Sequence, residues 1–180
     1  LTKQGSGETN METLEAIRTR RSIRKYRDEP VAEEAVERVL RAAMMAPSAR
    51  NCQPWHFVVI DDRELLAKIP QINPNAAMAA GAPLSILVCG DLELEHPSGY
   101  WVVDCAAAVQ NLLLAAHAEG LGAVWTGVYP RQERMAGFAR LLGLPDNVQA
   151  HSLVVLGHPA EQPVTQDRYR PDRVRRNRWA

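Results

Sequence analysis

Apolar and polar positions change their period repeatedly along the chain, and each change predicts an element. Leu14 and Ile17 lie three apart behind Asn10, a good N-cap, with Glu12 and Glu15 in the first turn, which predicts a short helix. A second helix follows Pro30: Glu33 and Glu34 stand near its start, Val36, Val39, Leu40 and Ala43 share one face, and Pro47 closes it. Trp55 to Ile60 alternates and is rich in β-formers, so a strand is expected there. Asp61 or Asp62 then caps a short helix carrying Leu65, Leu66 and Ile69, whereas residues 70–83 show little period.

Leu84 to Cys89 is a continuous apolar run of strand length, which predicts a strand buried on both faces. Ser98 can cap a long helix that runs through Ala118 to Gly120. Its Val102, Val103, Ala106, Ala107, Val109, Leu112, Leu113 and Leu114 go nearly all the way round, so burial on every side is expected, with one flank at a subunit interface. On that helix Asp104 reads as a paired interface group. Ala123 to Val128 predicts a strand. Arg131 to Leu142 predicts a helix with Met135, Phe138 and Leu142 inward and Gly143 at its end, and His151 to Leu156 predicts the last strand. Residues 158–180 have no period, and Trp179 near the end argues that this arm docks on a partner. Four strand-like runs interleaved with helices imply a mixed α/β layer domain. Residues 1–10 read as a disordered tail or a remnant ahead of Met11, and residues 11–180 as one domain with an extended arm.

Composition narrows the function. Over 180 residues the formal net charge is zero, which argues against a global attraction to nucleic acid or to an anionic membrane. The zero hides two basic clusters, one from Arg18 to Arg27 and one from Arg168 to Arg178. Cys52, Cys89 and Cys105 lie far apart, and neither a disulfide framework nor a zinc-ligand spacing is present. No uninterrupted apolar run approaches the roughly eighteen residues that span a bilayer. The first residues lack a signal-peptide core, so a reducing, cytoplasmic setting is expected.

Two segments carry candidate chemistry. Arg20-Arg21-Ser22-Ile23-Arg24 offers three guanidinium groups and a hydroxyl, a donor set that suits a phosphate monoester and also suits a solvated basic face. Between a helix and a strand, Ser48, Asn51 and Gln53 offer donors and acceptors at close spacing. They are equipped to read a planar heterocycle, or else to stabilise a turn. Cys52 has no activating neighbour readable in the sequence, Gly120-x-Gly122 lacks the third glycine of a dinucleotide fingerprint, and His56 has no clear ligand or base role.

Taken together, Arg-Arg-Ser-Ile-Arg-Lys-Tyr at 20–26, Ala-Pro-Ser-x-x-Asn-x-Gln-Pro-Trp-His-Phe at 46–57, Gly-Leu-Gly-Ala-Val-Trp-Thr-Gly at 120–127, Gly157-His158-Pro159 and the Arg168 to Trp179 ending resemble the nitroreductase family of flavoproteins. The resemblance implies an α+β fold of three α/β/α layers with a mixed central sheet, in an intertwined homodimer. It implies FMN as cofactor, with Arg20, Arg21, Ser22 and Arg24 along its phosphate, ribityl chain and pyrimidine edge. Ser48, Asn51 and Gln53 would reach it from the other subunit, and the backbone of Thr126 and Gly127 would face the ring. Arg168 would be a late phosphate ligand, with Gln166 a weaker candidate. Some relatives carry a Lys near the pyrimidine where Met78 stands here, with Asn75 beside it, which leaves Arg24 as the cation for that edge. The implied activity passes electrons from NADH or NADPH to small acceptors such as nitroaromatics or quinones, by ping-pong kinetics, with no side chain as essential acid or base. Reductive dehalogenation, flavin fragmentation and non-catalytic flavin binding are the alternatives on the same fold. Neither nucleic acid nor membrane is an expected partner.

Overall fold

A computed structural model describes residues 11–179 of the chain; the expectation for residues 1–10 lies outside them. Five helices are present, α1 (Thr13–Thr19), α2 (Glu33–Met44), α3 (Arg63–Ile72), α4 (Trp101–Ala118) and α5 (Gln132–Leu142), with four strands, β1 (Trp55–Ile60), β2 (Leu84–Asp91), β3 (Gly122–Gly127) and β4 (Val148–Gly157). Asp62 caps α3 by accepting from the N–H groups of Glu64 and Leu65, and Gly143 ends α5 in the left-handed region at φ 66°. The start of α4 departs from expectation: it begins at Trp101, and the Glu95 carboxylate rather than Ser98 accepts from the N–H groups of Gly99 (2.7 Å) and Trp101 (3.2 Å).

The strands are ordered β1-β2-β4-β3, and every neighbouring pair is antiparallel. This corrects the mixed sheet that the family resemblance implied, and the alternation of helices and strands did not exclude. That alternation gives parallel neighbours when strands consecutive in sequence lie side by side. Here α3 returns the chain so that β2 starts opposite the end of β1, Ser85 facing Ile60, and β4 slots between β2 and β3. Consequently β2 and β3 run the same way but do not touch. The only parallel pairing among the described residues is a single bridge from Ser22 to Ala123 on the outer edge of β3.

Every residue of β2 is buried, Ser85 and Asp91 included, so the sheet is covered on both faces. One cover is α4, which packs across all four strands and carries α1 and α2 on its back; α3, α5 and the 3-10 segment Pro74–Gly81 form another group. That 3-10 segment accounts for the poor helical period of residues 70–83, because its turns repeat every three residues. Phe138, Ile60, Leu66, Ile69, Leu87, Leu112 and Leu153 are among the fully buried side chains. Gly90 lets α4 approach β2: a Cβ there would stand 2.4 Å from the Trp101 ring.

Helix α4 is not buried on every side. Trp101, Asp104, Cys105, Ala108, Val109, Leu112, Leu113 and Ala116 form one inward stripe, whereas Val103 is 60% exposed. By length and hydropathy α4 could cross a membrane, but in this fold it is a core helix against the sheet. Asp104 is engaged within the chain. It faces its own chain, where Oδ1 accepts from the Ala49 N–H (2.9 Å) and Oδ2 is buried without a partner. Past β4 the arm pairs briefly with residues 25–27, through Arg27 N–H to His158 O and Ala160 N–H to Lys25 O (both 2.9 Å). Its only helical turn among the described residues is Pro171–Arg173, and Trp179 is 84% exposed under the Arg175 guanidinium.

Candidate functional site

The chain leaves α1 at Arg20 and runs extended along the free edge of β3. Ile23 N–H donates to Ala123 O (3.0 Å), and Gly122 makes room: a Cβ there would stand 2.7 Å from Ile23. The Tyr26 hydroxyl lies 2.5 Å from Ile23 O and 3.1 Å from Val155 O, and burial pushes its pKa above the ordinary value. The Glu161 carboxylate accepts from the N–H groups of Arg24 (2.6 Å) and Lys25 (3.2 Å). These bonds fix an extended stretch that places Arg20 and Arg24 roughly 13 Å apart.

A cleft opens at each end of that stretch's reach, the larger, of about 590 Å³, being at Arg20. Residues 17–21 line one wall and residues 165–168 of the arm the other, which brings together Arg20, Arg21, Gln166 and Arg168. Arg21 donates to Arg18 O (2.8 Å), Arg20 O (2.7 Å) and Gln166 O (3.2 Å), while its Nε is buried with no partner. Burial, then the charges of Arg168 and Arg21, hold the Arg20 guanidinium below its ordinary pKa. Among the described residues no ion pair involves Arg20, Arg21 or Arg168. Like charges gathered in a partly desolvated cleft without a counter-ion favour an anion, and guanidinium forks fit phosphate oxygens.

At the other end, a cleft of about 430 Å³ is lined by Arg24, Asn75, Met78 and residues 124–127. Thr126 and Gly127 therefore lie where Arg24 does, beside Met78. The Thr126 hydroxyl is committed to Leu153 O (2.9 Å), so this side chain holds the strand. Asn73 lies 3.4 Å from that hydroxyl and 3.3 Å from Gly127 O, and Arg134 donates to Gly127 O at 2.8 Å. Ser22 sits between the two clefts, at its bridge to Ala123.

Ser48, Asn51 and Gln53 line neither cleft. Their loop is held by its own bonds: Gln53 N–H to Ser48 Oγ (2.9 Å), Gln53 Nε2 to Asn51 Oδ1 (3.1 Å), and the Ala49 bond to Asp104. Arg50, Asn51 and Gln53 all have left-handed backbones, at φ 48°, 58° and 49°. His56 lies apart as well, 3.4 Å from Asp91. Sequence reasoning missed Asn73, Arg134 and Glu161. Asn73 carried a readable signal, an Asn directly before Pro74 at a turn start; the other two act across the fold and carried none.

Fold and clefts define a class: an α+β protein with a guanidinium-lined cleft beside the edge of a four-strand sheet. The nitroreductase family model matches residues 17–85 and 71–158. A relative from Methanothermobacter thermautotrophicus named "Putative NADH dehydrogenase/NAD(P)H nitroreductase" is 52% identical over 171 residues, 95% of this chain and 90% of the relative. Two solved structures superpose closely. One is an FMN-dependent nitroreductase from Clostridium difficile R20291, with TM-score 0.85 and 28% identity over 91% of this chain and 98% of the other. The second, from Desulfovibrio desulfuricans, is "a putative nitroreductase in complex with fmn", with TM-score 0.80 and 36% identity over 93% of this chain and 98% of the other. The chain belongs to the nitroreductase family, as an enzyme of its NAD(P)H nitroreductase and flavin reductase type.

Proposed function

We propose that this chain is an FMN-dependent oxidoreductase that takes electrons from NADH or NADPH and passes them to small organic acceptors such as nitroaromatics or quinones. The observation that carries it is the group of guanidiniums at Arg20, Arg21 and Arg168, none of them in an ion pair among the described residues. The relative solved with FMN supports the same cofactor. Arg20, Arg21 and Arg168 bind the phosphate, with Gln166 at the cleft wall, and Ser22 lies along the connecting chain. Arg24 supplies the cation at the pyrimidine edge that Met78 does not, and Asn75, Thr126 and Gly127 border the ring. When bound, FMN supplies a two-electron carrier. The protein orients it and shields the site from water with Met78, Val124 and Trp125. No side chain is assigned a proton-transfer role.

Ser48, Asn51 and Gln53 complete the site from a second copy of the chain, which accounts for a rigid polar loop that meets neither cleft of its own subunit. The exposed apolar residues Leu14 (69%), Val103 (60%) and Trp179 (84%) give that copy a surface to cover. Donor and acceptor use one place in turn, so initial-rate plots at varied acceptor should be parallel lines. Purified protein should be a yellow dimer by light scattering, with steady NAD(P)H oxidation in the presence of a nitroaromatic or quinone. A monomer that takes up no added FMN contradicts the proposal, and bound FMN without turnover makes the chain a flavin-binding protein instead.

A further inference from the structure

Behind the arginine-lined cleft stands a titratable group for which the proposed chemistry has no use. His117, in the last turn of α4, places Nε2 2.8 Å from the hydroxyl of Thr19, which lines the cleft. That hydroxyl also donates to Glu15 O at 2.7 Å. A hydroxyl has one proton to give, so the imidazole must be the donor: Nε2 carries hydrogen whether the ring is neutral or charged. Nδ1 is then the atom that gains or loses a proton, and among the described residues it has no hydrogen-bond partner.

The groups that face this ring are the charged neighbours of the cleft. Burial lowers its pKa below 6.5, Arg20 and Arg21 lower it further, and Glu15 on α1 opposes them. Glu119, two residues along, is taken by Arg38 at 2.7 Å. Asp167 also lines the cleft, but Arg18, Arg20, Arg21 and Arg168 outnumber it, so the neutral ring is favoured while no anion is bound. An anion among them offsets most of their positive field, and the C-terminal end of α4 favours a cation at this position.

We infer that His117 is the proton-responsive wall of the phosphate cleft: it positions Thr19 through Nε2 and takes up a proton at Nδ1 from solvent when a phosphate group settles among Arg20, Arg21 and Arg168. The inference rests on the proposed FMN site. It makes cofactor retention depend on pH through a residue that touches neither the ring nor either substrate. By linkage, protonated His117 tightens phosphate binding, and the gain disappears as pH rises above the bound-state pKa.

Riboflavin, which has the ring but no phosphate, separates the two ideas. In full-length protein, the His117 imidazole resonance, identified by its loss in His117→Gln, is titrated by NMR without ligand, with FMN and with riboflavin. The expected result is a pKa raised by about one unit with FMN and unmoved by riboflavin, a tenfold affinity change by linkage. His117→Gln keeps a donor toward Thr19 but cannot titrate. It should bind FMN as wild type does at pH 8 and lack the roughly tenfold tightening that wild type shows relative to it near pH 5.5. Tight FMN binding with an unmoved His117 pKa, or an unchanged pH profile in His117→Gln, overturns the inference and leaves the FMN site standing. Failure to bind FMN overturns both.

Discussion

The two polar segments of the candidate site are built in opposite ways. Residues 20–27 lie extended in ordinary backbone geometry, tied into the fold by Ala123, Glu161 and His158, and their arginines line clefts of their own chain. Residues 48–53 are compact and left-handed, bonded mainly to themselves and to Asp104, and line neither cleft. The first segment is shaped by the sheet edge it follows. The second carries its shape internally, at a cost of order 1–3 kcal/mol for each non-glycine residue held at positive φ. A loop so organised, with nothing in its own chain to read, fits the proposed role across a subunit boundary. The difference teaches that, on the proposed reading, one chain holds the phosphate end of the site, while the polar reading of the ring requires two.

The largest expected effect acts on both segments through the sheet. Between Val88 and Cys89 the register of β2 and β4 shifts, leaving His151 as the extra residue of a bulge, only 4% exposed and set against Trp101, Trp125 and Tyr129. Burial holds its pKa at about 4, below the ordinary 6.5. Between those values the unfolded chain binds a proton that the folded chain refuses. Stability contributed by the neutral ring is therefore complete above about pH 6.5 and lost as pH falls toward 4, by about 3 kcal/mol. Urea unfolding at pH 7 and 4.5 should show this loss in wild type and a smaller one in His151→Phe.

Next come tests that separate the segments. Arg20→Ala removes a charge-assisted bond worth about 1.5–3 kcal/mol, so FMN affinity should fall about ten- to a hundredfold while the proposed dimer persists. Full flavin occupancy in purified Arg20→Ala protein would contradict the assignment. Asp104→Ala leaves the Ala49 N–H without its acceptor and should cost about 1.5 kcal/mol of stability by thermal unfolding, with Asp104→Asn, which keeps an oxygen, costing less. Equal losses would show that the carboxylate does not anchor the loop. Smallest is Arg50→Gly. Relief of the left-handed strain at φ 48° should outweigh the added freedom of the unfolded chain by about 0.5 kcal/mol.

Much of the fold was legible because it depends on local chemistry. Trp55–Ile60 alternates with a strand's period and forms β1 with those bounds, Asp62 caps α3, and Gly143 ends α5. The errors arose where distant chain decides. Nothing local says that β4 enters between β2 and β3, so the antiparallel order was not readable. The strand β4 starts at Val148, three residues before the expected His151, because the bulge interrupts its alternation. Apolar residues around α4 do not reveal which flank faces the sheet. For the site, the convergence of Arg20, Arg21 and Arg168 came from family resemblance and matches the cleft, whereas Glu161 was unreadable because its partners are backbone N–H groups far away in sequence.

The most direct measurement compares FMN with riboflavin on the same protein by fluorescence titration at fixed pH and salt. Three guanidiniums without an ion-pair partner predict that FMN binds at least a hundredfold more tightly, and that the ratio shrinks about tenfold or more in Arg20→Ala and again in Arg168→Ala. Equal affinity for the two ligands in wild type, or a ratio indifferent to both substitutions, would contradict the account.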